Sequence, residues 1–175
     1  MGQYNRYKHT EARHYKQQLL ILYKIFKKKG YEHIQFLDTR RSQCDLKEGV
    51  DVIIIAEYKG IIQHIPISLR SREDRNERDI SIRRTVNFGN SKTEFDKIMD
   101  GSSHCRFMLF TWHLSRIPDY LQFALISTKQ MKTILPIYDK PEYIIKNRRP
   151  DGSLDGSSAI FIPVKELCVM CTNIK

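Results

Sequence analysis

The sequence predicts an α/β (α+β) domain with a central mixed β-sheet flanked by helices. Three observations carry that expectation. Val50–Ala56 and Ile61–Arg70 are apolar, β-branched runs on either side of the polar Glu57–Gly60, the pattern of a β-hairpin with a four-residue connection ending in glycine. Glu11–Lys29 repeats its apolar residues at helical spacing. Phe107–Trp112 and Tyr120–Ile126 are apolar on both faces, as strands buried within a sheet are.

Taken in order, residues 1–9 read as a basic, frayed tail. Thr10 then caps a helix over Glu11–Lys29, closed by Gly30. Tyr15, Leu19, Leu22, Ile25 and Phe26 form its apolar stripe, and the polar Glu11 and Gln18 fall on the same stripe. A polar group on a core-facing row needs a partner, or, for Glu11, the helix N-terminal dipole and solvent. Tyr31–Leu37 is a short strand and Asp38–Glu48 a polar loop, with the hairpin after it. Pro66 within the second hairpin strand predicts an edge or a bulge there. Ser71–Asn90 is charged and aperiodic, with Ile80–Ile82 as a brief strand.

Ser91-Lys92-Thr93-Glu94 matches a capping box that opens a helix ending near Asp100-Gly101. Two strands follow. Ser127 caps a helix over Thr128–Leu135, stopped by Pro136. Glu142–Lys146 and Ala159–Pro163 read as two strands joined by a turn-rich segment. The chain is expected to form a single domain, with a core over 10–135 and a C-terminal hairpin extension over 136–175.

Thirty Lys and Arg against twenty Asp and Glu give a net charge of +10. That balance favours a polyanionic partner, nucleic acid before a membrane surface. No apolar run approaches the roughly 20 residues of a spanning helix. The N-terminus has no apolar h-region, so a cytoplasmic, intracellular setting with reduced thiols is expected. Cys168 and Cys171 have a metal-knuckle spacing but no second pair, and Cys44 and Cys105 are isolated, so bystander thiols are expected. His64, His104 and His113 have no ligand partner at diagnostic spacing and read as structural. NTPase, dinucleotide-binding, zincin and α/β-hydrolase motifs are absent from the sequence.

The hairpin holds the simplest candidate site. Asp51 precedes four apolar residues at the start of the first strand, and the return strand ends in Ser68-Leu69-Arg70. A carboxylate and a guanidinium should therefore meet at one end of the hairpin.

Helix, strand, hairpin, helix, strand over residues 10–135, with an Asp opening a hairpin strand, resembles the PD-(D/E)XK nuclease superfamily, the restriction-endonuclease-like fold with its αβββαβ core. The resemblance implies a Mg²⁺-dependent DNA endonuclease, with Mn²⁺ as substitute. Hard cations take oxygen ligands and keep several waters, and so can activate one beside a phosphate. Asp51 matches the first acid and would be a metal ligand. Glu11 matches the helical acid and would be the second. Ser68-Leu69-Arg70 stands at the acid-x-Lys triplet, with no carboxylate at Ser68 and Arg70 in place of Lys; Arg can hold phosphate but stays protonated.

Glu94, with Lys97 three residues on, is the alternative acid on the next helix, although the capping box also accounts for it. Glu57-Tyr58-Lys59 is a literal acid-x-Lys triplet, expected at the hairpin tip. Arg72, Arg83, Arg84 and Lys97 would contact the flanking backbone. The expected partner is nucleic acid, DNA ahead of RNA, with a homodimer open and no membrane. The missing acid at Ser68 motivates the alternative, a catalytically inactive nuclease-fold protein that binds nucleic acid or a protein.

Overall fold

The computed structural model describes residues 2–40, 42–43, 49–73, 79–85, 92–113, 121–148 and 151–164; the side chains of 2–13, 72–73, 113, 121 and 155 lie outside the described set. The elements are α1 (Gly2–Lys28), β1 (Glu32–Asp38), β2 (Val52–Tyr58), β3 (Ile61–Glu73), β4 (Asp79–Thr85), α2 (Glu94–Asp100), β5 (Phe107–His113), β6 (Leu121–Ser127), α3 (Thr128–Tyr138), β7 (Ile144–Arg148) and β8 (Leu154–Pro163). The fold is mixed α+β, with a five-stranded sheet in the order β1-β2-β3-β5-β6 and a three-stranded sheet in the order β4-β8-β7. The chain divides into two compact units.

The first unit comprises Met1–Arg72, His104–Thr111 and Leu121–Leu125. Its helix starts earlier than expected: α1 runs from Gly2, so Thr10 is interior to the helix and does not cap it. No proline interrupts this stretch, and the intrinsic preferences of its polar residues do not oppose a helix. Gly30 ends the helix as expected. Its φ of +85 carries the chain through the left-handed region. Gly30 N–H then bonds to the Lys27 carbonyl, and Tyr31 N–H to the Phe26 carbonyl.

The β2–β3 hairpin is tighter than the sequence suggested. Glu57 pairs with Ile62 and Tyr58 with Ile61, leaving Lys59-Gly60 as a two-residue connection. Both residues have positive φ, +53 and +78, as a type I′ turn requires. The turn's twist matches that of the strands, so pairing extends to its edge. Pro66 makes no bulge: it sits opposite Ile53 in unbroken register on an interior strand. Its carbonyl turns toward the next strand and accepts from Arg106 N–H at 2.8 Å, just before β5 begins. Its missing N–H therefore costs the β2 ladder nothing. Contacts from Arg106 to Pro66 and from Thr111 to Arg70 ascend together, so β3 and β5 run parallel.

Leu22 and Phe26 of α1 cover Val52, Ile54, Ala56, Ile65, Ile67 and Leu109 on one face of the large sheet. Leu22 has no exposed surface. Leu22→Ala is expected to cost about 2–5 kcal/mol in urea unfolding, because the removed methyl groups leave a cavity between a rigid helix and a sheet.

The second unit comprises Glu73–Ser103, Trp112–Tyr120 and Ile126–Lys175. Here α2 is capped by Thr93, whose hydroxyl accepts from Asp96 N–H at 3.1 Å while the Asp96 carboxylate accepts from Thr93 N–H at 2.9 Å. The capping box is therefore shifted two residues from the expected Ser91–Glu94 pair, and Glu94 is the first helical residue. Ser127 caps α3 as expected, but Pro136 does not stop it. Leu135 and Tyr138 are buried around the proline, and the Tyr138 ring meets Tyr143 edge-on at 4.9 Å. Burial of the last turn offsets the hydrogen bond that Pro136 lacks.

The two C-terminal strands pair as a hairpin, and β4 joins the other side of β8. The brief strand expected at Ile80–Ile82 is thus a full member of a separate sheet. Cys105 is a buried thiol whose Sγ donates to the Gly49 carbonyl; Cys44, Cys168 and Cys171 lie outside the described residues. Among the described residues no helix is long and apolar enough to cross a membrane.

Candidate functional site

The site belongs to the first unit and is built from backbone outward. Asp51 sits one residue before β2. Its N–H bonds to the Ile67 carbonyl at 3.0 Å, and its own carbonyl accepts from Thr39 N–H at 3.1 Å. Thr39 adds a second tie, its hydroxyl donating to the Val50 carbonyl at 2.6 Å. The main chain at Asp51 is thus held from both β1 and β3 sides.

Its side chain turns toward the end of β3. Asp51 Oδ2 accepts from Leu69 N–H at 2.6 Å and from Ser68 Oγ at 3.3 Å. Arg70 Nη1 stands 3.7 Å from the same oxygen and donates to the Leu69 carbonyl at 3.2 Å. Register explains the meeting: Val52 lies opposite Ile67, which brings Asp51 beside Ser68. The Asp51 side chain is 15% exposed and that of Arg70 38%, so the carboxylate is shielded while the guanidinium reaches solvent. Ser68, at the position where the resemblance has an acid, is buried and uses its hydroxyl on Asp51.

A relay from α1 fixes the Arg70 main chain. Gln18 Nε2 donates to Thr111 Oγ1 at 3.0 Å, and that hydroxyl donates to the Arg70 carbonyl at 3.2 Å. Gln18 is the polar residue on the core-facing stripe, and this is the partner its position demanded. One turn earlier, the Arg40 guanidinium lies 3.4 Å from the centre of the Tyr15 ring. Arg40 also grips Asp38 through two bonds, of 3.0 and 2.8 Å. That grip holds the Asp38 carboxyl below the usual carboxylate range. His14 Nδ1 and Ser71 Oγ meet at 3.3 Å on the exposed side.

Burial, followed by the nearby Asp38 carboxylate, pushes the Tyr15 phenol up to about 12. Its folded value thus lies above the value of about 10 for an unfolded tyrosine. The stability this contributes is fully present below pH 10 and is lost as pH rises through about 12. Ultraviolet titration should show one phenol ionising late, and unfolding should set in across that window; Tyr15→Phe should remove the late phenol.

The other sequence candidates are dispersed. Glu11 lies in α1 one turn before Tyr15, and its side chain is outside the described residues, as are the side chains of Arg72 and His113. Glu94 and Lys97 are half-buried on α2, in the second unit. Arg83 is exposed on β4. Arg84 pairs with Asp139 at 3.0 Å and stacks 4.4 Å over Phe95, so its guanidinium is engaged within its own unit. Glu57 and Lys59 stand at the hairpin tip, as expected. His64 and His104 are exposed. Sequence reasoning did not find His14, Tyr15, Asp38, Arg40 or Thr111 as members of the corner. Asp38 and Arg40 carried no distinguishing signal, and Thr111 stood inside an apolar strand.

Among the described residues, no group of three His, Cys, Asp or Glu could hold a metal ion. The described corner supplies two carboxylates: Asp51 Oδ2 already accepts from two donors beside a cation, and both oxygens of Asp38 accept from Arg40. These donors alone do not fit a Mg²⁺ site.

No family model matches this chain, and no curated protein matches it. Among solved structures it is similar to a nuclease from a fusselovirus, at a TM-score of 0.45 and 14% identity, over 85% of this chain and 79% of that one.

Proposed function

We propose that this chain acts on nucleic acid and that the Asp51–Arg70 corner engages a phosphodiester. The observation that carries this reading is Arg70: a partly exposed guanidinium, oriented by Asp51 3.7 Å away, in a chain of net charge +10. A guanidinium fork matches phosphate oxygens and keeps its charge at any physiological pH. Asp51 and the Gln18–Thr111 relay fix the main chain from which Arg70 projects, lowering the entropy lost on binding.

Two forms of the activity are separable. The order α1-β1-β2-β3-α2-β5 follows the αβββαβ core of PD-(D/E)XK nucleases, with β4 inserted. Tyr15 and Gln18 of α1 both take part in the corner, and Glu11 stands one turn before Tyr15 in the same helix. A metal-dependent endonuclease, DNA-directed, needs Glu11 to join Asp51. The bonds already made to Asp51 Oδ2, and the hydroxyl at Ser68, favour the second form, a nuclease-fold protein that binds nucleic acid without cutting it.

Supercoiled DNA, single-stranded DNA and RNA incubated with Mg²⁺ or Mn²⁺ test the choice. Nicking lost in Glu11→Gln supports the endonuclease. Binding that weakens steeply with salt, without cleavage, supports the binder. No binding at low salt removes both.

A further inference from the structure

The tip of the β2–β3 hairpin, in the first unit, carries apolar surface on both of its faces. Ile61 and Ile62 open β3 directly after the turn, and they are 65% and 67% exposed, the most exposed of the described large apolar side chains. Neighbouring strand residues point to opposite faces, so Ile61 lies on the α1 side with Ile65 and Ile67. Ile62 lies on the other side, opposite Glu57.

The end of α1 stands beside this tip. Tyr31, just after the helix, stacks on Tyr58 with ring centres 4.8 Å apart, and Lys59 Nζ lies 5.5 Å from the centre of the Tyr58 ring. Lys27 and Lys28 end α1 and Lys29 follows, all three exposed, as Lys59 is. The ammonium groups of Lys27, Lys28 and Lys29 have no ion-pair partner among the described residues. The acids at this end are the exposed Glu32 and the half-buried Glu57, which pair with each other across β1 and β2. Cations therefore outnumber acids around an aliphatic tip.

We propose that this tip enters the interface of an anionic lipid bilayer, with Ile61 and Ile62 among the upper acyl chains and Lys27, Lys28, Lys29 and Lys59 at the headgroup phosphates. A fluid covers both faces of a protruding tip at once, whereas a flat partner covers one. Lysine stems lie along apolar surface while their charges reach the phosphates. Nucleic acid matches the lysines but not the isoleucines. A base step admits one side chain, not the end of a two-stranded ribbon. The Tyr58 ring is already stacked on Tyr31, so it offers no open platform to a base. Such a peripheral contact needs no spanning helix. It is independent of the nucleic-acid reading, and it lies at the opposite end of the hairpin from Asp51 and Arg70.

Flotation of the full chain at low salt, with vesicles of phosphatidylcholine alone and of phosphatidylcholine mixed with phosphatidylglycerol, tests it. Binding is expected to the mixed vesicles only, and to fall as salt rises. Ile61→Thr and Ile62→Thr together keep β-branched side chains in the strand. The pair is expected to weaken vesicle binding about tenfold and to leave duplex DNA binding as in the wild type. Lys27→Gln, Lys28→Gln and Lys29→Gln together are expected to weaken vesicle binding about a hundredfold. The single tryptophan of the chain, Trp112, is buried. In Ile62→Trp the added indole is expected to shift its emission to the blue on mixed vesicles, where the wild type shows no shift. Failure of the wild type to bind the mixed vesicles overturns the proposal. Vesicle binding unchanged by the two threonine substitutions, or an unshifted emission in Ile62→Trp, also overturns it and marks attraction by charge alone. Duplex binding lost with the two threonine substitutions overturns it in favour of nucleic acid at the tip.

Discussion

Asp51→Ala is expected to cost the fold about 1.5–3 kcal/mol in urea unfolding near neutral pH, the range for hydrogen bonds to a charged group. The carboxylate is three things at once: an acceptor for Leu69 N–H, an acceptor for Ser68 Oγ and a counter-charge for Arg70. Removal leaves the Leu69 amide without its acceptor at a shielded position. The Arg70 contribution is discounted, because a pair with 38% of one partner exposed is screened. Asp51→Asn keeps an acceptor oxygen, so its cost should be smaller, about 1 kcal/mol. The same Asn variant has a signature in function. With one negative charge fewer beside a bound phosphate, nucleic-acid binding should hold or tighten, while any metal-dependent cleavage should stop. Cleavage equal to that of the wild type would take Asp51 out of the mechanism.

Arg70→Gln should move binding the opposite way. Loss of one charge-assisted phosphate contact is worth roughly tenfold in affinity at low salt. The slope of log affinity against log salt should fall by about 0.9 for a duplex. Arg70→Lys keeps the charge but not the fork, so it should retain the salt slope and recover part of the affinity. Two substitutions at groups 3.7 Å apart would then shift affinity in opposite senses, which a general loss of folding cannot produce. Equal affinity and slope in Arg70→Gln would move the phosphate contact elsewhere on the chain.

Much of this was legible because strand signals are local. The hairpin placed Asp51 and Ser68-Leu69-Arg70 at one end, since antiparallel pairing from the turn at Lys59-Gly60 leaves little freedom of register. The errors came where a distant contact or competing local chemistry decided. Thr93 outcompeted Ser91 as cap because Asp96, not Glu94, lies at the third helical position. Pro136 continued a helix because Tyr138 is buried beyond it. The rest of the corner was hidden because its members meet across long stretches of chain: Gln18 finds Thr111, and Arg40 finds Tyr15. Of these only Gln18 gave a sign, as an amide on an apolar stripe.

The parallel placement of β5 beside β3 governs how the molecule comes into being. The first unit is assembled from three separated stretches, 1–72, 104–111 and 121–125, so its large sheet cannot be completed while the ribosome is still making the segment between them. A nascent chain that has emerged only through β3 presents Ile65 and Ile67 on a strand whose outer edge has no neighbour yet, a template for intermolecular pairing. Closing so long a loop before the reward of the β3–β5 ladder slows maturation, and makes yield in a cell sensitive to temperature and to the rate of synthesis.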